Sequence, residues 1–140
     1  MKEYCIDSNV LFSALISRKE RYLQIFSEAK FYAPDFALTE IDKYAKVILK
    51  KTKTDTSILE KFTLLMFSLL TIVPRFVISS ESIKEAFDLC QEVDEKDTMY
   101  VALAIQLNIE LITRDKALFN HLKGKGFDKV VMWNDIFDAQ

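Results

Sequence analysis

In the stretch Glu3-Tyr4-Cys5-Ile6-Asp7-Ser8-Asn9-Val10-Leu11, a short apolar strand runs into three residues that start helices well, and an apolar helical segment follows over residues 10–16. A strand that turns straight into a helix is half of a βα unit, and it leaves Asp7 at the strand's carboxyl end. The same alternation continues along the chain. A helix is expected over residues 18–29, then a strand over 30–33 stopped by Pro34. A long helix over 36–51 and another over 56–70 follow, with residues 71–73 extended. Ser82 and Glu85 have the capping-box spacing near the start of a helix that runs to about residue 92. Asp94 opens a helix over 95–107, and residues 109–113 read as an apolar strand. Asp115 opens a short helix to residue 123, stopped by Gly124 and Gly126, before a last strand over 129–133 and one helical turn. Strands alternating with helices imply right-handed crossovers. The expected fold is α/β: a three-layer α/β/α sandwich with a mostly parallel central sheet, in one domain over residues 1–140.

Composition agrees with one core. Half of the 140 residues are hydrophobic and 29% are charged, enough apolar material to fold without staples. Two glycines and two prolines leave no linker-like stretch. A net charge of −2 and a pI near 5.5 do not suit a general nucleic-acid coat protein, but an acidic site neutralised by divalent metal is compatible with both. Cys5 and Cys90 lack metal-like spacing and read as buried thiols of a reducing compartment. The sequence opens without a basic region or cleavable apolar leader, so the expected location is the cytoplasm. The most apolar run, residues 62–73, falls short of the roughly 20 residues that span a bilayer, and no membrane partner is expected. It reads as a buried helix, or as one that packs on a second subunit to form a homodimer. Phe26, Phe62, Phe67 and Phe87 sit at core spacings and read as packing.

In parallel sheets ligands bind beyond the carboxyl ends of the strands. Asp7 follows the first strand directly, and Asp115 follows the 109–113 strand with one residue between. Glu40 lies about one turn into the helix after the 30–33 strand. Asp94 and Asp97 occupy the first turn of the helix that feeds the Asp115 strand, so they fall at the same edge. Alone, each is an ordinary helix cap or helix-dipole partner. Together they repel by ~1–4 kcal/mol per close pair, and a hard divalent cation with oxygen ligands, Mg2+ or Mn2+, is the natural counter-ion. Other chemistries lack their parts. His121 is the only histidine and reads as a surface residue, no nucleophile motif accompanies it, and no glycine-rich phosphate loop exists.

Four blocks then resemble the PIN-domain family. The segment from Tyr4 to Leu11 resembles its opening strand and turn, and Pro34-Asp35-Phe36-Ala37-Leu38-Thr39-Glu40 resembles the block in which a glutamate enters the site. Asp94-Glu95-Lys96-Asp97 with the small-residue helix after it resembles the third block, and Ile112-Thr113-Arg114-Asp115 the fourth. The resemblance covers nearly the whole chain. It implies a parallel-sheet α/β fold and, as in many members, metal-dependent ribonuclease activity leaving 5′-phosphate and 3′-hydroxyl ends. Bacterial and archaeal members include toxins of toxin–antitoxin pairs, so an antitoxin protein is a possible partner. Ser8 and Arg114 depart from the commonest family residues, but neither change removes a carboxylate.

The mechanism expected from these residues is hydrolysis of phosphodiester bonds in single-stranded RNA, assisted by one or two metal ions. Asp7, Glu40, Asp97 and Asp115 hold the metal, Asp94 is a further ligand, and Asn9 and Thr113 orient water or carboxylates. Lys43, Lys46, Lys50 and Lys53 recur at helical spacing beside Glu40, either as a solvated face or as a basic rail for RNA. Two other functions compete. One is a PIN-like module that binds RNA or protein without cutting, which the complete carboxylate set disfavours. The other is a haloacid-dehalogenase-like phosphatase, which needs an Asp where this chain has Asn9.

Overall fold

The computed structural model describes residues 1–53 and 55–137. Strand β1 (Glu3–Ile6) leads into α1 (Ser8–Ser17), α2 (Glu20–Glu28) and β2 (Lys30–Pro34). Helices α3 (Phe36–Lys43), α4 (Ala45–Thr52) and α5 (Thr56–Ser68) precede β3 (Leu70–Val73). A 3₁₀ turn over Arg75–Val77 enters α6 (Ser80–Cys90), and a second one over Glu95–Asp97 enters α7 (Thr98–Leu107). Strand β4 (Glu110–Thr113), α8 (Lys116–Gly124), β5 (Val130–Met132) and α9 (Trp133–Ile136) follow.

The five strands form one sheet in the order β3-β2-β1-β4-β5, and every neighbouring pair is parallel. β1 is central, with Cys5 in register with Tyr32 on one side and Leu111 on the other. Its Tyr4, Cys5 and Ile6 are all buried, as a strand covered on both faces requires. The chain leaves β1 toward β2 but leaves β4 toward β5, so the sheet's switch point lies between β1 and β4. With right-handed crossovers the helices divide between the two faces. On one face α1 packs on α4 and α5. On the other α7 lies across β1, β2 and β4 beneath α6.

Helix α1 shows how local sequence positions the site. Asp7 caps it by accepting from the Ser8 amide, and Val10, Leu11, Ala14 and Leu15 bury one face. Each large side chain among them contributes about 1.5–3 kcal/mol on burial. Arg18, at φ 51°, ends the helix in the left-handed region. At the far edge of the sheet Trp133 is fully buried, stacked on Tyr22 at 5.6 Å and edge-on to Phe26 at 6.1 Å. Helix α7 is apolar on all sides and closes on Asn108, at φ 54°, whose amide bonds back to Ala104 and Ile105. Asn tolerates that conformation better than other non-glycine residues. Asn108→Ala is therefore expected to cost about 1 kcal/mol in a urea melt, and Asn108→Gly only a few tenths; equal stability of the Ala and Asn proteins would refute this.

Several sequence expectations are corrected. The single helix expected over residues 36–51 is two, broken at Tyr44 (φ −103°, ψ 14°). Neither glycine nor proline marks the break, and tertiary packing accounts for it: α4 turns to lie on α1, and the Tyr44 ring meets the Phe12 ring edge-on at 5.9 Å. Helix α6 starts at Ser80, two residues before the expected box, and its cap is Ser79, whose side chain accepts from the Ser82 amide. Asp94 opens a 3₁₀ turn, and the α-helix begins only at Thr98. Pro34 does not stop β2 but pairs with Val73 as its last residue, the next amide, of Asp35, bonding to Val73 O. Trp133 starts α9 and does not end β5. Phe87 is 42% exposed, whereas Phe26 and Phe62 are buried as read. Among the described residues no helix is long and apolar enough to cross a membrane.

Candidate functional site

Two strand ends and two helix starts bring the predicted acids to the carboxyl edge of the sheet. The Asp7 amide donates to Ile112 O at 3.0 Å, which locks the end of β1 beside β4. The buried Asp7 carboxylate accepts from Ser8 N at 2.8 Å through Oδ1 and from Thr113 Oγ1 at 2.7 Å through Oδ2. Thr113 Oγ1 in turn accepts from Asn9 Nδ2 at 3.2 Å and from the Asp115 amide at 3.0 Å. Asn9 Oδ1 accepts from the Arg114 amide at 3.1 Å. Asn9 and Thr113 thus knit the ends of β1 and β4 together and aim Asp7. Asp115 caps α8 by accepting from Leu118 N at 3.1 Å, and Asp94 Oδ1 accepts from Lys96 N at 3.0 Å.

Glu40 is buried on α3, where its Oε1 accepts from the Tyr100 hydroxyl at 2.5 Å. Tyr100 escaped the sequence reading. Its signal was the three-residue spacing from Asp97, which puts both on the inner side of α7's first turn. Asp97 is half-buried, and its carboxylate caps nothing.

The acids act on one another electrostatically. Burial raises Asp7 to about 6, against the hydrogen bonds from Thr113 and Ser8 that lower it, and Asp115 and Glu40 raise it further. Asp97 rises to about 8, first through burial and then through Asp7, Asp94, Asp115 and Glu40. Burial and the bond to Glu40 push the Tyr100 hydroxyl well up, so it stays a donor. Burial also raises Cys90 to about 12 and Cys5 well above its ordinary value, in keeping with inert thiols.

Among the described residues, the ion pairs present are Lys2–Glu110 at 3.8 Å and Lys125–Glu92 at 3.3 Å, and neither involves these acids. Among the same residues, no group of three or more His, Cys, Asp or Glu side chains is arranged to hold an ion as it stands. Mutual repulsion reaches farther than ligation, so both observations hold at once: the acids share one field, while their oxygens are turned to caps and hydroxyls. The donor set fits a hard divalent cation: all its donors are oxygen, Asp7 and Glu40 are buried, Asp97 and Asp115 are half-buried, and among the described residues none of them is in an ion pair. Binding such an ion requires these carboxylate oxygens to reorient toward a common point.

The lysine stripe does not exist as one face. Lys43 ends α3, Lys46 and Lys50 lie on α4 beyond the break, and Lys53 sits at φ 51° past the end of α4. Lys43 instead meets Lys96, which the sequence reading passed over, at the Tyr44 ring. An apolar cavity of about 450 Å³, lined by Leu15, Ile41, Ile48, Leu59 and Leu64 among others, lies apart from the acids.

The family model for the PIN domain matches residues 5–131. A toxin–antitoxin complex from Klebsiella pneumoniae is similar in fold, with a TM-score of 0.61 and 23% identity over 91% of this chain and 95% of that one. VapBC2 from Rickettsia felis, solved bound to a DNA fragment from its promoter, has a TM-score of 0.61 and 17% identity over 93% of this chain and 96% of that one. No curated protein sequence matches significantly.

Proposed function

The chain belongs to the PIN-domain family, and from that premise we propose that it is a metal-dependent endoribonuclease that hydrolyses phosphodiester bonds in single-stranded RNA. The observation that carries the reading is the gathering of Asp7, Glu40, Asp97 and Asp115 at one sheet edge, close enough that Asp115 and Glu40 raise both Asp7 and Asp97. These four would hold Mg2+ or Mn2+, with Asp94 as a further ligand from the rim. The ion, when bound, supplies Lewis acidity: it makes a water acidic enough to attack near neutral pH and offsets charge on the phosphate. Thr113 holds Asp7 ionised and oriented, and Asn9 fixes Thr113. Tyr100 fixes Glu40. Incubation with single-stranded RNA should give cleavage in Mg2+ or Mn2+ and none in chelator; failure to cleave under both metals would overturn the proposal.

The absence of a preformed ion-holding group among the described residues favours a second reading, a PIN-like module that binds RNA or protein without cutting. The same assay separates the two.

The solved neighbours are toxin–antitoxin complexes, which supports a toxin role with an antitoxin protein as partner; a cytoplasmic location belongs to the same proposal. A homodimer belongs to the same proposal. Helix α5 buries Leu59, Phe62 and Met66 but leaves Leu64 74% and Leu65 55% exposed, and such apolar patches mark interfaces. Sedimentation equilibrium should show a dimer that Leu64→Glu/Leu65→Glu converts to monomer. A wild-type monomer at high concentration would refute this part alone.

A further inference from the structure

We infer that Lys43 and Lys96, gathered on the ring of Tyr44, form a clamp for backbone phosphates of the RNA beside the acids; the inference rests on the ribonuclease reading above. Tyr44 stands one turn after Glu40, its amide bonded to Glu40 O at 3.1 Å. Lys96 immediately precedes Asp97 in sequence, and its Nζ donates to the Tyr44 hydroxyl at 3.0 Å while lying 5.6 Å from the ring centroid. Lys43, three residues after Glu40, places its Nζ 5.5 Å from the same centroid. Phe12, edge-on at 5.9 Å, holds the ring in place. Two ammonium groups from different segments therefore share one aromatic anchor, each a close sequence neighbour of a site acid.

Among the described residues neither lysine has an ion-pair partner. Both ammonium groups are exposed, the shared ring holds each by about 0.5–1 kcal/mol of cation–π attraction, and the charges of Asp94 and Glu40 also draw Lys96. A complement that engages both at once is an extended anion. The acids next door repel any approaching phosphate, so a backbone that reaches them needs cations at the rim. A polyanion with regularly spaced phosphates suits two ammonium groups anchored at one point better than a single small anion does.

The test is binding and cleavage of a fluorescein-labelled single-stranded RNA. Anisotropy titrations across NaCl concentrations use Asp97→Asn protein with and without Lys43→Gln/Lys96→Gln. The lysine changes are expected to lower affinity about 10-fold and to reduce the salt slope by about 1–2. In otherwise wild-type enzyme the same pair should raise KM about 10-fold with kcat within about twofold. Tyr44→Phe, which keeps the ring and removes the hydroxyl that holds Lys96, should reproduce part of the KM rise. Unchanged slope and KM in a protein that still cleaves RNA would overturn the clamp alone. Wild-type protein that neither binds nor cleaves RNA would overturn the clamp and the ribonuclease reading together.

Discussion

Asp97→Asn is expected to lower divalent-metal-dependent RNA cleavage by at least about 1,000-fold, with the fold intact. Asp97 is the aspartate of the set whose side chain caps no helix, so its oxygens are available to an ion. It also feels the other four most, rising to about 8 by burial and by the charges of Asp7, Asp94, Asp115 and Glu40. Near pH 7 in chelator this carboxyl therefore stands largely protonated, and Asn matches that neutral form in shape and polarity. The substitution removes a ligand charge without placing anything foreign in the pocket. Circular dichroism should be unchanged while cleavage disappears. Undiminished cleavage would remove Asp97, and with it the proposed acid set, from the chemistry.

The second large effect is on stability. Asp7 and Asp97 both have carboxyls raised in the folded chain, to about 6 and about 8 from 3.8. Well below pH 4 both are protonated whether folded or not, so they cost nothing. As pH rises the unfolded chain releases its protons first, and the folded state loses stability until pH passes the raised values. In chelator the loss between pH 4 and pH 8 should come to several kcal/mol for the pair, with about 7 kcal/mol as the upper bound because part of each shift is shared repulsion and Asp97 is only half-buried. Asp97→Asn should remove most of it, melting above the wild type at pH 8 and with it at pH 4. Mg2+ or Mn2+ should narrow the gap, stabilising the wild type by about 2.7 kcal/mol at 100 times Kd and the Asp97→Asn protein by much less. The gain should be larger at pH 8 than at pH 6, because ligands must shed protons to bind. Parallel melting curves for both proteins across pH and metal would refute the shared acidic field.

Much of the frame was legible in the sequence because its signals are local. The β1–Asp7–α1 and β4–Asp115–α8 junctions fall within a residue or two of expectation, since an apolar run, a capping Asp and helical periodicity all act within a few residues. Topology rules then carried Asp7 and Asp115 to one sheet edge, and the starts of α3 and of the 94–97 turn to the same edge. What failed was where a distant contact overrode a local preference. Tyr44 reads as mid-helix, yet Phe12 and the seating of α4 on α1 break the helix there. Phe87 has core spacing, yet its face of α6 meets water.

Periodicity and capping act over one or two helical turns, so the sequence by itself determined the order of elements, the parallel sheet and which acids stand at strand ends. Meetings between side chains far apart along the chain were decided by tertiary structure alone. The Tyr100 hydroxyl on Glu40 spans 60 residues, and Lys96 on Tyr44 spans 52. Such pairs exist only after helices have packed on the sheet. The same packing removes Asp7 from water and gives the acids their common field, because the strength of a charge's interactions depends on burial that no short stretch of sequence encodes.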